Sequence, residues 1–294
     1  MPNYWKPSRR GEGSVRAGRQ RGPARESVRA PVVAGIFYPE RKEPLEQLID
    51  QLSSGSTKKR KVIAVVVPHG AYHTSGEAAG AVYAQLASWP SVSVVVGPNH
   101  SGAGEVLSIA VRGDWETPLG RIPVDPVLAR AILKAAPDLK KDAKAHQDEH
   151  AVEVQLPFLQ RLGHIRGFVP VALGPVDLET VQRIGRGLAE GIRKAKQPVL
   201  LVASTQLSRY EALEAVKRKD QLAIEPILAL DEDRLLQVVA EQGVSMCGAT
   251  ATAVVLVAAK GLGASQGSLV KYETSGKKTG NLRSVVGYAG ILLE

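Results

Sequence analysis

The sequence predicts an α/β protein: a single three-layer sandwich with a mixed, largely parallel central sheet and helices on both faces. Three observations carry this reading. Runs of β-branched residues at Val62–Val67, Val92–Val96 and Val199–Ala203 alternate with stretches of helical periodicity. Apart from Ser93 each run is apolar, the mark of a strand covered on both faces, which is the usual state of parallel strands. The 294 residues are 44% hydrophobic and 23% charged, enough to bury a large core without disulfide or structural metal.

The elements follow in order. Leu45, Leu48, Ile49 and Leu52 recur at helical spacing. Val62–Val67 is a strand ended by Pro68, and the alanine-rich stretch Gly76–Leu86 is a helix. Val92–Val96 is a second strand, stopped by Gly97-Pro98-Asn99. Leu107–Val111 and Ile122–Val124 flank Asp114–Gly120 as an antiparallel excursion. Pro126–Ala136 is a helix with proline in its first turn. Glu149–Leu162 is helical, with Pro157 forcing a kink or restart. Phe168–Leu173 and Val199–Ala203 are strands around a helix at Leu178–Lys194. Helices at Leu213–Leu230, Arg234–Gln242 and Ala249–Ala259 precede two closing strands, Leu269–Thr274 and Val285–Leu293.

The formal charge is +9, and residues 1–28 supply +5 of it through seven Lys and Arg against two Glu. This stretch has no apolar period and no secretory h-region. It reads as a flexible basic arm before one domain at 29–294, although a mis-assigned start codon explains it equally well. Such an arm can touch nucleic acid by charge alone; nothing else points to nucleic acid. Cys247 is the single cysteine, which excludes an intrachain disulfide and fits a reducing, cytoplasmic setting. The uncharged run Ala249–Ala259 is far shorter than the ~18 residues of a membrane span.

Three strands end in polar turns, carrying His69, His100 and the segment Ser204–Tyr210. Ligands of open α/β sheets bind beyond the carboxyl ends of the strands, where two histidines suit a metal or a general base. Cys247 precedes an apolar segment whose helical N-terminus would favour the thiolate. His150 and Glu153, three apart, are expected to share a helix face on the same cleft as proton donor and acceptor. His146-Gln147-Asp148-Glu149-His150 matches the inverted zinc-peptidase pattern, with a solvated loop entering a helix at His150 as the plainer reading.

Taken together, Val33–Pro39, Pro68-His69 with Tyr72 and Ser75-Gly76, Gly97–His100, Trp115–Gly120, Glu149–Leu159, Cys247-Gly248 and Val285–Ala289 resemble the Memo family. The family is also called AmmeMemoRadiSam system protein B, and it is distantly similar to catalytic subunits of class III extradiol dioxygenases. The resemblance implies iron or copper, with zinc as a further candidate, held by His69, His100 and Cys247, and an oxidoreductase chemistry with oxygen species. It also implies a protein partner, since an animal member acts in cell-motility signalling. The sequence departs from the family where an aspartate and a histidine are usual: Gln206 and Arg209 stand there. Neither can be a general base, and Arg209 with Gln206 and Tyr210 would suit a small-molecule or anionic ligand. Three readings follow: a metal-dependent redox enzyme with a degenerate acid/base site, a non-catalytic binding module, and, more remotely, a zinc peptidase.

Overall fold

A computed structural model describes residues 28–55 and 58–294. The expectation for the basic arm lies outside them, except that Val28 already belongs to a strand. In chain order the elements are β1 Val28–Arg29, α1 Lys42–Leu52, β2 Ala64–Val67, α2 Tyr72–Tyr83, β3 Val92–Pro98, β4 Leu107–Ile109, β5 Asp114–Thr117, β6 Gly120–Pro123, α3 Pro126–Ala135 and β7 Lys140–Lys141. A 3-10 turn, Lys144–His146, leads to α4 His150–Glu153, α5 Leu156–Gly163, β8 Gly167–Leu173, α6 Leu178–Ala195, β9 Val199–Ser204 and β10 Arg209–Glu211. Then come α7 Leu213–Leu228, α8 Glu232–Glu241, α9 Ala249–Gly261, β11 Gly267–Thr274, α10 Gly276–Thr279 and β12 Val285–Leu293.

The main sheet runs β10-β12-β2-β9-β3-β8-β4-β7, with β11 also on β12. Its centre, β2-β9-β3-β8, is parallel, and Val94 of β3 sits level with Val169 and Leu201 of its neighbours. Antiparallel β12 and β4 flank that centre. All residues of β2, β3 and β8 are buried, so both faces are covered. One cover is α9, packed on β2, β3, β8 and β9, with α6 on α9 and α3 on α6. The other is α2, packed on β2 and β12, with α1 and α5 beside it. The mixed, largely parallel α/β sandwich is therefore the observed fold.

The apolar stretch at Ala249–Ala259 is a helix, and every residue from Ala251 to Ala259 is buried. No helix among the described residues is long and apolar enough to cross a membrane. Pro157 stands in the first turn of α5, so it restarts the Glu149–Leu162 segment as a second helix.

Two local readings are corrected. The helix after β2 starts at Tyr72, not Gly76. The Ala71 carbonyl accepts the Thr74 and Ser75 N–H groups, and both hydroxyls also turn back to it. Second, Asp114–Thr117 is itself a strand, paired with β6 and with β1 in a separate three-stranded sheet, while β4 joins the main sheet. Trp115 drives this by burying its ring on Phe168, with centroids 5.3 Å apart, and under the Arg29 guanidinium at 4.0 Å.

Candidate metal centre

Because β2, β9, β3 and β8 run parallel, their carboxyl ends share one edge. His69 follows β2, His100 follows β3, and Ser204 ends β9. Cys247 approaches from just before α9. Close packing brings these ends together: a Cβ on Gly248 would stand 2.7 Å from Thr205 Cβ and 2.9 Å from the Ser204 carbonyl oxygen. A Cβ on Gly97 would stand 3.1 Å from Ala151 Cβ, so small residues also let α4 abut the end of β3.

The result is a cluster. One ring nitrogen from each of His69 and His100 and the Cys247 sulfur lie within 4.8 Å of one another. His69 Nε2 is 3.3 Å from Cys247 Sγ. His69 is fully buried, Cys247 half-buried and His100 exposed.

Hydrogen bonds fix which nitrogens face the sulfur. Ser204 Oγ donates to the Ala151 carbonyl at 2.7 Å and accepts from Gln155 Nε2 at 2.9 Å. Its hydrogen is committed, so His69 Nδ1, 3.2 Å away, is the donor. The lone pair of His69 is then on Nε2, toward the thiol. Gln155 is itself held, donating to the Pro68 carbonyl and accepting from the Tyr83 hydroxyl. His100 Nδ1 lies 2.9 Å from Glu149 Oε1, an acceptor only, so Nδ1 is the donor there and Nε2 is the nitrogen left for the sulfur.

The charges reinforce one another. Burial opposes the ionised thiol at Cys247, but His69 and His100 beside it and the Gln206 N–H hold its pKa well below the usual thiol range. Burial also opposes a charged His100, yet its bonds to Cys247 and Glu149 push it up to about 9. Glu149, despite burial, is held at about 2 by His100 and by the N–H groups of Ala151 and His100.

His150 joins the cluster. Its ring stacks on His100 at 4.8 Å and meets His69 edge-on at 5.5 Å. Burial and the neighbouring histidines push it down to about 4, so it is neutral and can accept a proton or a hydrogen bond. His100, Glu149 and His150 form a second group of ligand atoms within 4.8 Å.

Glu153 does not join it. It is buried and turned the other way: Arg29 Nη1 donates to Oε2 at 2.6 Å, Tyr38 Oη to Oε1 at 2.6 Å, and the Val32 and Val33 N–H groups also donate. The shared face expected for His150 and Glu153 splits because α4 is one turn long and is wedged between the cluster and the Arg29–Tyr38 segment. Among the three expected ligand-binding residues, Arg209 lines a cleft of about 650 Å³ with His100 and Cys247. Gln206 instead touches Cys247 through its backbone, and its amide lies over Gly70. Tyr210 has φ +63° and is 73% exposed; it is not in the cleft lining, though the Arg209 guanidinium stands 5.9 Å from its ring.

The zinc-peptidase pairing is also not formed. His146 ends the 3-10 turn, buried on Ser108 at 3.0 Å and against Trp115. His150 starts a separate helix and faces His69 and His100. Glu149, the general base of that reading, is spent on His100. Its role and that of Ser204 escaped the sequence reading. The one available signal for Glu149 was its place directly before the helix start at His150.

A family model for Memo-like proteins matches residues 29–292. The chain belongs to the Memo family. A MEMO1 family protein of Methanopyrus kandleri is 38% identical over 279 residues, 90% of this chain and 99% of the relative. A MEMO1 family protein of Aquifex aeolicus is 38% identical over 268 residues, 90% of this chain and 98% of the relative. An uncharacterized Escherichia coli K12 protein of known structure aligns with a TM-score of 0.48 at 15% identity, covering 78% of this chain and 99% of that one. For this Memo-family chain, the residues matching the family's motifs after β2, β3 and before α9 are the ones that meet in space.

The donor set fits a transition metal. Two imidazoles and one thiolate-prone sulfur suit copper, iron or zinc and leave further coordination positions open; the metal would displace the proton that His100 keeps up to about pH 9. Each histidine has its far nitrogen anchored, as metal-ligating histidines do, by Ser204 for His69 and by Glu149 for His100.

Proposed function

We propose that this chain is a metal-binding redox protein, dioxygenase-like, that holds iron or copper through His69, His100 and Cys247. The observation that supports it is the convergence of two histidine rings on one depressed thiol, each ring braced from behind. When bound, such a metal supplies one-electron chemistry and activates oxygen species or a substrate oxygen. The chain's own residues do the rest. Glu149 and Ser204 orient the two rings. His150, neutral and stacked on His100, is the group positioned to accept or return a proton. Glu153 anchors the segment that packs Phe37 on His150. The ligand is a small molecule or anion entering the cleft beside His100 and Cys247. The lone cysteine suits a cytoplasmic setting.

A second reading, a binding module without turnover, is favoured by Gln206 and Arg209, which supply no general base near the cluster. Metal quantification on protein purified without chelator separates the two. The redox reading expects near one iron or copper per chain, lost in His69→Ala and in Cys247→Ser, with oxidation of a catechol-type probe by the loaded protein. Metal-free wild-type chain would overturn it.

A further inference from the structure

Among the described residues Arg209 makes no ion pair. It sits at the start of β10 and is half-buried. Its backbone N–H donates to Ser245 Oγ at 2.7 Å, and its Nε donates to the Ser245 carbonyl at 3.1 Å. Those bonds fix the guanidinium and leave its Nη edge uncommitted. Among the described residues no carboxylate makes an ion pair with it, whereas the Arg29 guanidinium is paired with Glu153. The Arg209 guanidinium nevertheless lines the same cleft as His100 and Cys247. The same cleft has an apolar wall of Val176, Leu178, Leu236, Val239 and Met246. α9 also begins there, through Ala249 and Thr250, with no side chain capping its first turn.

We infer that this cleft takes a small organic carboxylate, its carboxylate on the Arg209 Nη edge and its apolar body against that wall. The inference rests on the reading of the cluster as the functional site, and it names the class of ligand. A guanidinium edge offers two parallel N–H groups that match the two oxygens of a carboxylate. The uncapped start of α9 adds positive potential at the same end. Asp233 also lines the cleft, and its negative charge disfavours a dianion. A monoanionic carboxylate therefore suits the cleft better than phosphate. The apolar wall rewards a ligand with a hydrocarbon body over a bare anion.

The test titrates the full chain with benzoate, acetate and inorganic phosphate by calorimetry, with metal content measured on the same preparations. Wild-type chain should bind benzoate saturably, and about tenfold or more tightly than acetate or phosphate. Arg209→Gln keeps the length and removes the charge, and should weaken benzoate at least about tenfold with metal content unchanged. Arg209→Lys keeps the charge without the fork and should fall between. Absence of saturable benzoate binding to the wild type would overturn the inference. So would equal benzoate affinity in wild type and Arg209→Gln, or phosphate binding tighter than benzoate. Arg209-dependent benzoate binding to chains that carry no metal would uphold the carboxylate site and defeat the redox reading. Metal at full content with benzoate indifferent to Arg209 would do the reverse.

Discussion

Glu149 grips His100 at two points: Oε1 lies 2.9 Å from the ring Nδ1, and Oε2 accepts the His100 backbone N–H at 2.6 Å. The pair ties the end of β3 to the start of α4 and moves both titrations. Glu149 is held at about 2 against an ordinary 4.5, so its contribution to stability is present above about 4.5 and is lost as pH falls through about 2. His100 is raised to about 9 from 6.5, so its contribution is fully present below about 6.5 and is lost as pH rises through about 9. Urea unfolding of chelator-stripped chain should therefore show stability falling on both limbs, and Glu149→Gln should flatten the acid limb and reduce the alkaline one, where Cys247 still raises His100. Unchanged limbs in the variant would place the pH dependence elsewhere. The same variant should weaken metal binding about 10–100-fold, as loss of a histidine's rear partner does.

Glu153 is a structural anchor in this geometry, because all its partners lie on the Arg29–Tyr38 segment. Arg29 is nearly buried, and removing the one carboxylate paired with it among the described residues strands a cation. Glu153→Ala should cost about 3–5 kcal/mol of stability. The variant, assayed at a temperature where it stays folded, should retain full metal content. A variant as stable as wild type but without turnover would restore the proton-transfer role expected from the helical spacing.

The parts legible in the sequence are those governed by local pattern. β2, β3 and β9 were visible because a doubly covered strand is apolar nearly throughout, and Val62–Val67, Val92–Val96 and Val199–Ala203 are, with the small Ser93 the one polar residue among them. Parallel alignment then places His69 and His100 on one edge, and the polar turns marked that edge. What local pattern does not hold is the far partner of each group. The i,i+3 spacing of His150 and Glu153 names a face but not what packs on it, and here the N-terminal segment takes one half of that face. Arg29 was indistinguishable from the other arginines of a basic stretch, yet it bonds the carbonyls of His146 and Glu149 and covers Trp115. Tyr210 looked like a site residue by motif, but its left-handed backbone turns the ring to solvent.

Ser204 sets the tautomer of His69, so its hydroxyl matters more than its size suggests. Ser204→Ala leaves the His69 Nδ1–H, one Gln155 N–H and the Ala151 carbonyl without their shared partner in a buried place. The expected cost is about 1–3 kcal/mol. Metal affinity should fall as well, since nothing then selects the Nε2 lone pair. Ser204→Thr, which keeps the hydroxyl, should recover metal affinity more than stability. Equal metal affinity in Ser204→Ala and wild type would show that His69 holds its tautomer without help.

Gly248 sets how closely Cys247 can come to the end of β9. Its φ of −102° is open to any residue, so the constraint is space rather than backbone freedom. A methyl group there would press on Thr205 Cβ and on the fixed Ser204 carbonyl. Relief requires the start of α9 to move outward, and Cys247 moves with it. The rest of α9 is buried along its length and resists that shift. Gly248→Ala should therefore destabilise the chain by about 1–3 kcal/mol and also lower metal affinity, with all three candidate ligands still present. Gly120→Ala, where the turn from β5 enters β6 of the smaller sheet, meets no close neighbour and is the control: its φ of +113° costs backbone strain but moves no ligand. Stability lost in both and metal affinity lost only in Gly248→Ala is the expected pattern. Metal affinity retained in Gly248→Ala would mean that the sulfur reaches the histidines without the close contact between α9 and β9.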